Sequence, residues 1–199
     1  MKTWVVGLTG AMGSGKSTVS CVFKTLGIPV YNSDEKAKEL YDTNEFREKL
    51  YSVFGAEVFD ANGIPDKKKI AQRVFQDKTS LHKLNALIHP YIKDDFRKWT
   101  KRFPQAPYVI QESAILYEAG FDTLFDKIIS VHAEVSVILA RIQKRDGLSE
   151  EQIHARLDNQ MPIEEKKKRA DFVIINNESQ LVLPQILAIH EQLIRAAEK

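Results

Sequence analysis

Apolar residues along this chain fall into two alternating rhythms, short continuous runs and helical stripes. The first run, Trp4 to Leu8, is bounded by glycine and predicts a buried strand. Val19, Val22, Phe23 and Leu26 then recur at i, i+3, i+4 and i+7, which predicts a helix over Ser17 to Leu26, and Gly27 stands where helices favour a closing glycine. Ile28-Pro29-Val30-Tyr31 predicts a second strand, with proline tolerable at its start. Strand, glycine-rich turn, helix and strand form a βαβ unit, the building block of a parallel sheet.

From about Glu35 to Arg102 the pattern is mainly helical, with one Asn62-Gly63 turn. Leu81, Leu84, Leu87 and Ile88 form a stripe that runs into His89-Pro90, where proline is expected to bend or interrupt the helix. Strand patterns return at Tyr108-Val109-Ile110, at Ile128 to Val131 and at Phe172 to Ile175. Between the last two lie a helix carrying Val135, Ile138, Leu139 and Ile142, and a second that starts at the Ser149-Glu150-Glu151-Gln152 capping box. That second helix is expected to run toward Gln160 and to break at Pro162. Leu183, Ile186, Leu187 and Ile194 mark a closing helix. Five strands alternating with helices predict an α/β sheet with a helical insertion.

The turn after the first strand carries the chemistry. Gly10-Ala11-Met12-Gly13-Ser14-Gly15-Lys16-Ser17 matches G-x-x-x-x-G-K-[ST] at every fixed position. Glycines let backbone N–H groups converge on a phosphate, Lys16 supplies a compact positive charge, and the Ser17 hydroxyl suits Mg²⁺. The helix opening there points its positive end at the anion. A GTP switch would carry N/T-K-x-D, and Thr100-Lys101-Arg102-Phe103 lacks the aspartate. The motif thus selects a nucleotide without choosing between a kinase, an ATPase and a nucleotide-timed binding protein.

Further candidates stand in simple positions. Asp34 follows the second strand at the sheet's carboxyl edge, where it suits either an acceptor-activating base or the N-cap of the next helix. Arg141 and Arg145 share a helix face, which suits a lid over phosphates or a solvated surface. Lys166-Lys167-Lys168-Arg169, next to Glu164 and Glu165, reads as a solvated turn.

Composition narrows the partners. With 29 Lys+Arg against 27 Asp+Glu the net charge is +2, which argues against nucleic-acid binding by bulk charge. The single cysteine, Cys21, excludes an intrachain disulfide and a multi-cysteine zinc site. No apolar stretch approaches the roughly 20 residues that span a bilayer, and the N-terminal run is too short for a signal peptide. A soluble, cytoplasmic protein is expected.

Several segments together carry a resemblance: the loop with Thr18, Leu26-Gly27-Ile28-Pro29-Val30, Ile88-His89-Pro90, Ile115-Leu116-Tyr117-Glu118, Arg145-Asp146-Gly147-Leu148-Ser149, Gln160 and Ala170-Asp171-Phe172-Val173-Ile174…Asn176. In this order the chain resembles the dephospho-CoA kinases over essentially its whole length. The resemblance implies a five-stranded parallel sheet of the P-loop NTPase fold surrounded by helices, with a helical substrate lobe and a helical lid. It implies a core of about 1–34, 106–139 and 170–199, a substrate-binding insertion of about 35–105 and a lid of about 140–169. The implied reaction is ATP-dependent phosphorylation of the ribose 3′-hydroxyl of dephospho-CoA with Mg²⁺. In it, Gly10 to Thr18 hold ATP, Ser17 the metal, Asp34 acts as base with Lys16, Arg141 and Arg145 at the phosphates, and His89, Asp34 and Glu112 face the acceptor. The chain departs from the family at Asn32, where an aspartate is common, at Ala114, usually proline, at Glu112, commonly aspartate, and at Ala11-Met12, in place of Gly-Ile.

Overall fold

The computed structural model describes residues 3–197; Met1, Lys2, Glu198 and Lys199 lie outside it, as do the side chains of Phe75 and Gln76. By contacts along the backbone the chain divides into two compact units, one of Met1–Asn32 with Trp99–Lys199 and one of Ser33–Lys98.

The first unit is built on a parallel sheet of β1 (Trp4–Thr9), β2 (Val30–Asn32), β3 (Tyr108–Glu112), β4 (Lys127–His132) and β5 (Phe172–Ile175), in the spatial order β2-β3-β1-β4-β5. β1 is central and covered on both faces: Val6 and Leu8 on one face have no solvent exposure, and Gly7 on the other lies against Leu116 and Phe125. They pack with Val19 and Phe23 of α1 (Lys16–Thr25), Ile129 and Val131 of β4, and Ile186 and Leu193 of α9 (Val182–Ala197). Each such side chain stabilises the fold by roughly 1.5–3 kcal/mol. A second cluster in this unit joins Ala11, Ala133, Ile138, Ile142 and Ile153, with Met12, Leu148 and Ile163 against it. It ties α6 (Val135–Asp146), α7 (Glu150–Leu157) and α8 (Ile163–Arg169) to the turn after β1. Ser149 caps α7 with the reciprocal Gln152 bonds that its spacing predicts.

The second unit is helical. It contains α2 (Ser33–Leu40), α3 (Asn44–Phe54), α4 (Lys67–Gln76) and most of α5 (Lys78–Thr100). Its own core is Phe46, Leu50, Val58, Phe59, Ile70, Val74 and Leu84. Thr43 and Asp66 cap α3 and α4 through their side chains. The Asn62-Gly63 turn is held by Asp60, whose Oδ1 accepts from the N–H groups of Asn62 and Ile64.

Three local expectations are corrected. Of the two outcomes expected at Pro90, a bend or an interruption, the second does not occur: helix α5 runs on through it. Helix α7 ends at Leu157 rather than near Gln160, and Pro162 caps the next helix. The basic run is not a solvated turn: it lies in α8, and Lys166 is 1% exposed. Among the described residues no helix is long and apolar enough to cross a membrane.

Candidate active site

The loop from Gly10 to Ser17 leaves the carboxyl end of the central strand, where ligands bind in open α/β sheets. Two of its glycines are required by geometry. At Gly10 (φ 148°) a Cβ would run into the Val131 carbonyl and stand 2.7 Å from Ser14 Oγ. At Gly15 (φ 97°), which opens α1 in the left-handed region, a Cβ would collide with Asn176 Nδ2. The loop also folds on itself, with Ser14 N–H donating to the Ala11 carbonyl at 3.1 Å.

Lys16 is 8% exposed, and its ammonium donates to the Gly10 and Ala11 carbonyls at 3.0 and 3.1 Å. The charge is thereby held over the loop instead of extending into solvent. No acidic residue lies in the first turn of α1, so its positive end is not neutralised from within the helix.

Glu112, at the carboxyl end of β3, is 4% exposed and accepts from Ser17 Oγ at 3.2 Å and Ser20 Oγ at 2.7 Å. Sequence reasoning expects this residue to face the acceptor; the structure turns both oxygens to the hydroxyls of α1. In the β2–β3 register Glu112 stands beside Asn32. A second carboxylate at Asn32 would face it across the sheet, and the amide removes that repulsion.

The donor set fits Mg²⁺. Ser17 Oγ and the Glu112 carboxylate are hard oxygen ligands beside the loop, and Mg²⁺ is usually held by one or two such groups together with phosphates. Among the described residues no cluster of three or more His, Cys, Asp or Glu forms an all-protein cage.

The two arginines behave differently. Arg141 reaches the loop, where Nη1 donates to Ser14 O at 3.5 Å; Nη2 donates to Asn176 O at 3.0 Å and Asn176 Oδ1 at 3.2 Å, and Nε donates to Glu178 Oε1 at 3.3 Å. Arg145 is 65% exposed on its side chain and forms a two-pronged pair with its neighbour Asp146 at 2.8 Å. Asp34 lies inside the first turn of α2, the second residue of the helix, so it is not the residue that precedes it. His89 lies within α5, where burial pushes its pKa below the ordinary imidazole value. Both Asp34 and His89 belong to the helical unit.

Sequence reasoning assigned no role to three side chains, Gln160, Asn176 and Lys166. Gln160 Oε1 accepts from the Met12 N–H at 3.2 Å, and Asn176 Nδ2 donates to Ser14 O at 2.8 Å. Lys166 donates to Glu118 at 2.8 Å and to the Ala114 carbonyl at 2.5 Å. The signal for Asn176 was present: a strand two places from β1 in a parallel sheet must end at the same edge as the loop.

A phosphate loop on the central strand of a five-stranded parallel sheet, with a buried lysine, a hydroxyl–carboxylate pair and an arginine around it, defines a P-loop phosphotransferase. A family model described as dephospho-CoA kinase matches residues 4–182. Curated relatives carry the same description: the dephospho-CoA kinase of Bacteroides fragilis strain YCH46 is 40% identical over 185 residues, covering 92% of this chain and 90% of its own. A crystal structure from Thermus thermophilus superposes with a TM-score of 0.84 at 31% identity, covering 98% of each chain. The dephospho-CoA kinase of Campylobacter jejuni does so with a TM-score of 0.68 at 27% identity, covering 96% of this chain and 98% of its own. The chain belongs to the dephospho-CoA kinase family, transferases that phosphorylate dephospho-CoA with ATP in coenzyme A biosynthesis.

Proposed function

We propose that this chain transfers the γ-phosphoryl group of ATP to the ribose 3′-hydroxyl of dephospho-CoA, with Asp34 as the base and the Gly10–Thr18 loop holding the triphosphate. The observation that carries this reading is the convergence of Lys16, Ser17 and Glu112 on one loop at the carboxyl edge of the sheet. In the step, the 3′-oxygen gives its proton to the Asp34 carboxylate and forms a bond to Pγ. The bond from Pγ to the bridging oxygen breaks, and ADP leaves with the electron pair. Lys16 meets charge on the β- and γ-phosphates, and the loop N–H groups at the start of α1 hold the remainder in fixed directions. Mg²⁺, when bound, neutralises phosphate charge; Ser17, with Glu112 behind it, would hold the ion.

The acceptor is assigned to the insertion of about 35–105, with His89 as a contact. The segment of about 140–169 serves as a lid. Arg145, tied in the structure only to an exposed neighbour, is free to exchange that pair for phosphate at little cost. The enzyme works as a soluble cytoplasmic protein without nucleic-acid or membrane partners.

The test is incubation with ATP, Mg²⁺ and dephospho-CoA, followed by mass spectrometry for coenzyme A. Formation of ADP only with a different acceptor would overturn the assignment of substrate. Asp34→Asn is expected to lower kcat by about 10²–10⁴-fold while ADP affinity stays close to wild type. Near-normal turnover in that variant would remove Asp34 from the role of base.

A further inference from the structure

The loop that follows β5 meets the phosphate loop through one side chain. The backbone of Asn176 is fixed first, because its N–H donates to the His132 carbonyl at 2.8 Å and continues the β4–β5 ladder. From that anchor the carboxamide bonds in two directions. Nδ2 donates to Ser14 O at 2.8 Å, and Oδ1 accepts from Arg141 Nη2 at 3.2 Å. Chemistry settles the orientation of the amide: reversed, it would set oxygen against the Ser14 carbonyl and N–H₂ against a guanidinium.

The bond to Ser14 has a directional consequence. In a trans peptide the carbonyl of one residue and the N–H of the next point opposite ways. Holding Ser14 O toward Asn176 therefore turns the Gly15 N–H away from it, and Gly15 is one of the residues whose N–H groups the motif directs at phosphate. Gly15 has no Cβ to obstruct this contact; one placed there would collide with Asn176 Nδ2. Arg141 is oriented by the same residue, through both its backbone oxygen and its side chain. On the far side Glu178 holds the guanidinium at 3.3 Å. Glu178 is the one non-glycine with positive φ (63°) among the described residues. A side chain in that sparsely populated region is a local cost sustained by the surrounding contacts.

We propose that Asn176 is a positioning residue of the phosphate loop, aligning the Ser14–Gly15 peptide and Arg141 together and so setting the grip on ATP independently of the acceptor. This rests on the reading of Gly10–Thr18 as the ATP loop. The role is distinct from capping β5, because a cap would leave nucleotide affinity unaltered in the folded protein.

The experiment compares wild type, Asn176→Ala, Asn176→Asp, Arg141→Ala and the Asn176→Ala/Arg141→Ala double variant. Each is measured by steady-state kinetics in ATP and in dephospho-CoA, by ADP calorimetry and by thermal melting. Asn176→Ala is expected to raise the ATP KM and weaken ADP binding about tenfold or more, while the dephospho-CoA KM is unchanged. Asn176→Asp, which sets a carboxylate against the Ser14 carbonyl, is expected to lose more; being isosteric, it carries the test if the alanine variant does not fold. The double variant is expected to be less damaged than the product of the two single effects. A folded Asn176→Ala with unchanged ATP KM and ADP affinity overturns the inference, as does a fall in kcat alone from a smaller active fraction. Independent, multiplicative effects of the two substitutions overturn the coupling to Arg141. Wild-type protein that binds no ADP would instead overturn the reading of the loop on which the proposal rests.

Discussion

Lys166 is a charged side chain with 1% exposure, and such a group persists only with close partners. Its partners include Glu118 at 2.8 Å and the Ala114 carbonyl at 2.5 Å. Glu118 also accepts from the Met161 N–H at 2.6 Å, so one carboxylate secures both ends of the stretch from Met161 to Lys166. Immediately before that stretch, Gln160 reaches the loop at Met12. Lys166→Ala is expected to destabilise the protein by about 3 kcal/mol, the lower end for breaking a buried pair, because Glu118 keeps 20% exposure and recovers some hydration. Joint replacement, Lys166→Met with Glu118→Leu, should restore most of that loss. Denaturant unfolding measures both, and an alanine variant as stable as wild type would contradict the account. This lysine was not legible in the sequence. Three adjacent lysines and an arginine look alike, and only the turn of a seven-residue helix selects which one faces inward. The phosphate loop was legible because its chemistry demands particular residue types at consecutive positions, whatever packs behind them.

Among the elements, α5 shows how burial overrides a local signal. Pro90 has no N–H to give to the Ala86 carbonyl and its ring crowds that turn, the reason a proline there predicts a bend or an interruption. The helix nevertheless spans 23 residues, with Leu84 buried before the proline and Ile92 and Phe96 after it. These side chains keep helical phase across Pro90, so a break would expose one set or the other. That phase was visible in the sequence, but whether it outweighs a proline depends on contacts made by distant residues. Pro90→Ala is expected to stabilise the helical unit by about 1–3 kcal/mol. It restores one hydrogen bond and removes the clash, less the entropy that proline withholds from the unfolded chain. Chemical denaturation followed by circular dichroism tests this; a loss of stability would mean that Pro90 fits its surroundings better than alanine. The strands posed no such conflict. Apolar runs bounded by glycine, proline or polar residues located all five, since a parallel strand covered on both faces has little choice of composition.

Across the whole molecule, a net charge of +2 conceals a local arrangement. Lys16 and Arg141 are held at one loop by backbone and amide oxygens, and Glu112 is directed to hydroxyls rather than to either cation. Directional groups of this kind need no basic surface. The apolar side chains are likewise partitioned: Val6, Leu8, Val19 and Phe23 belong to one core, and Phe46, Leu50, Val58 and Phe59 to another. Phe46 has no solvent exposure, so Phe46→Ala should remove about 3–5 kcal/mol from the Ser33–Lys98 unit. The phosphate loop lies in the other unit, whose core that substitution leaves intact. Under the proposed division of labour, Phe46→Ala should bind ADP near wild-type affinity while transfer to dephospho-CoA falls with the folded fraction of the helical unit. Hydrogen exchange would then show protection lost over 33–98 and retained in β1, β3 and β4. Parallel loss of ADP binding and of sheet protection would show instead that the two units unfold as one cooperative block, with acceptor handling and nucleotide binding stabilised together.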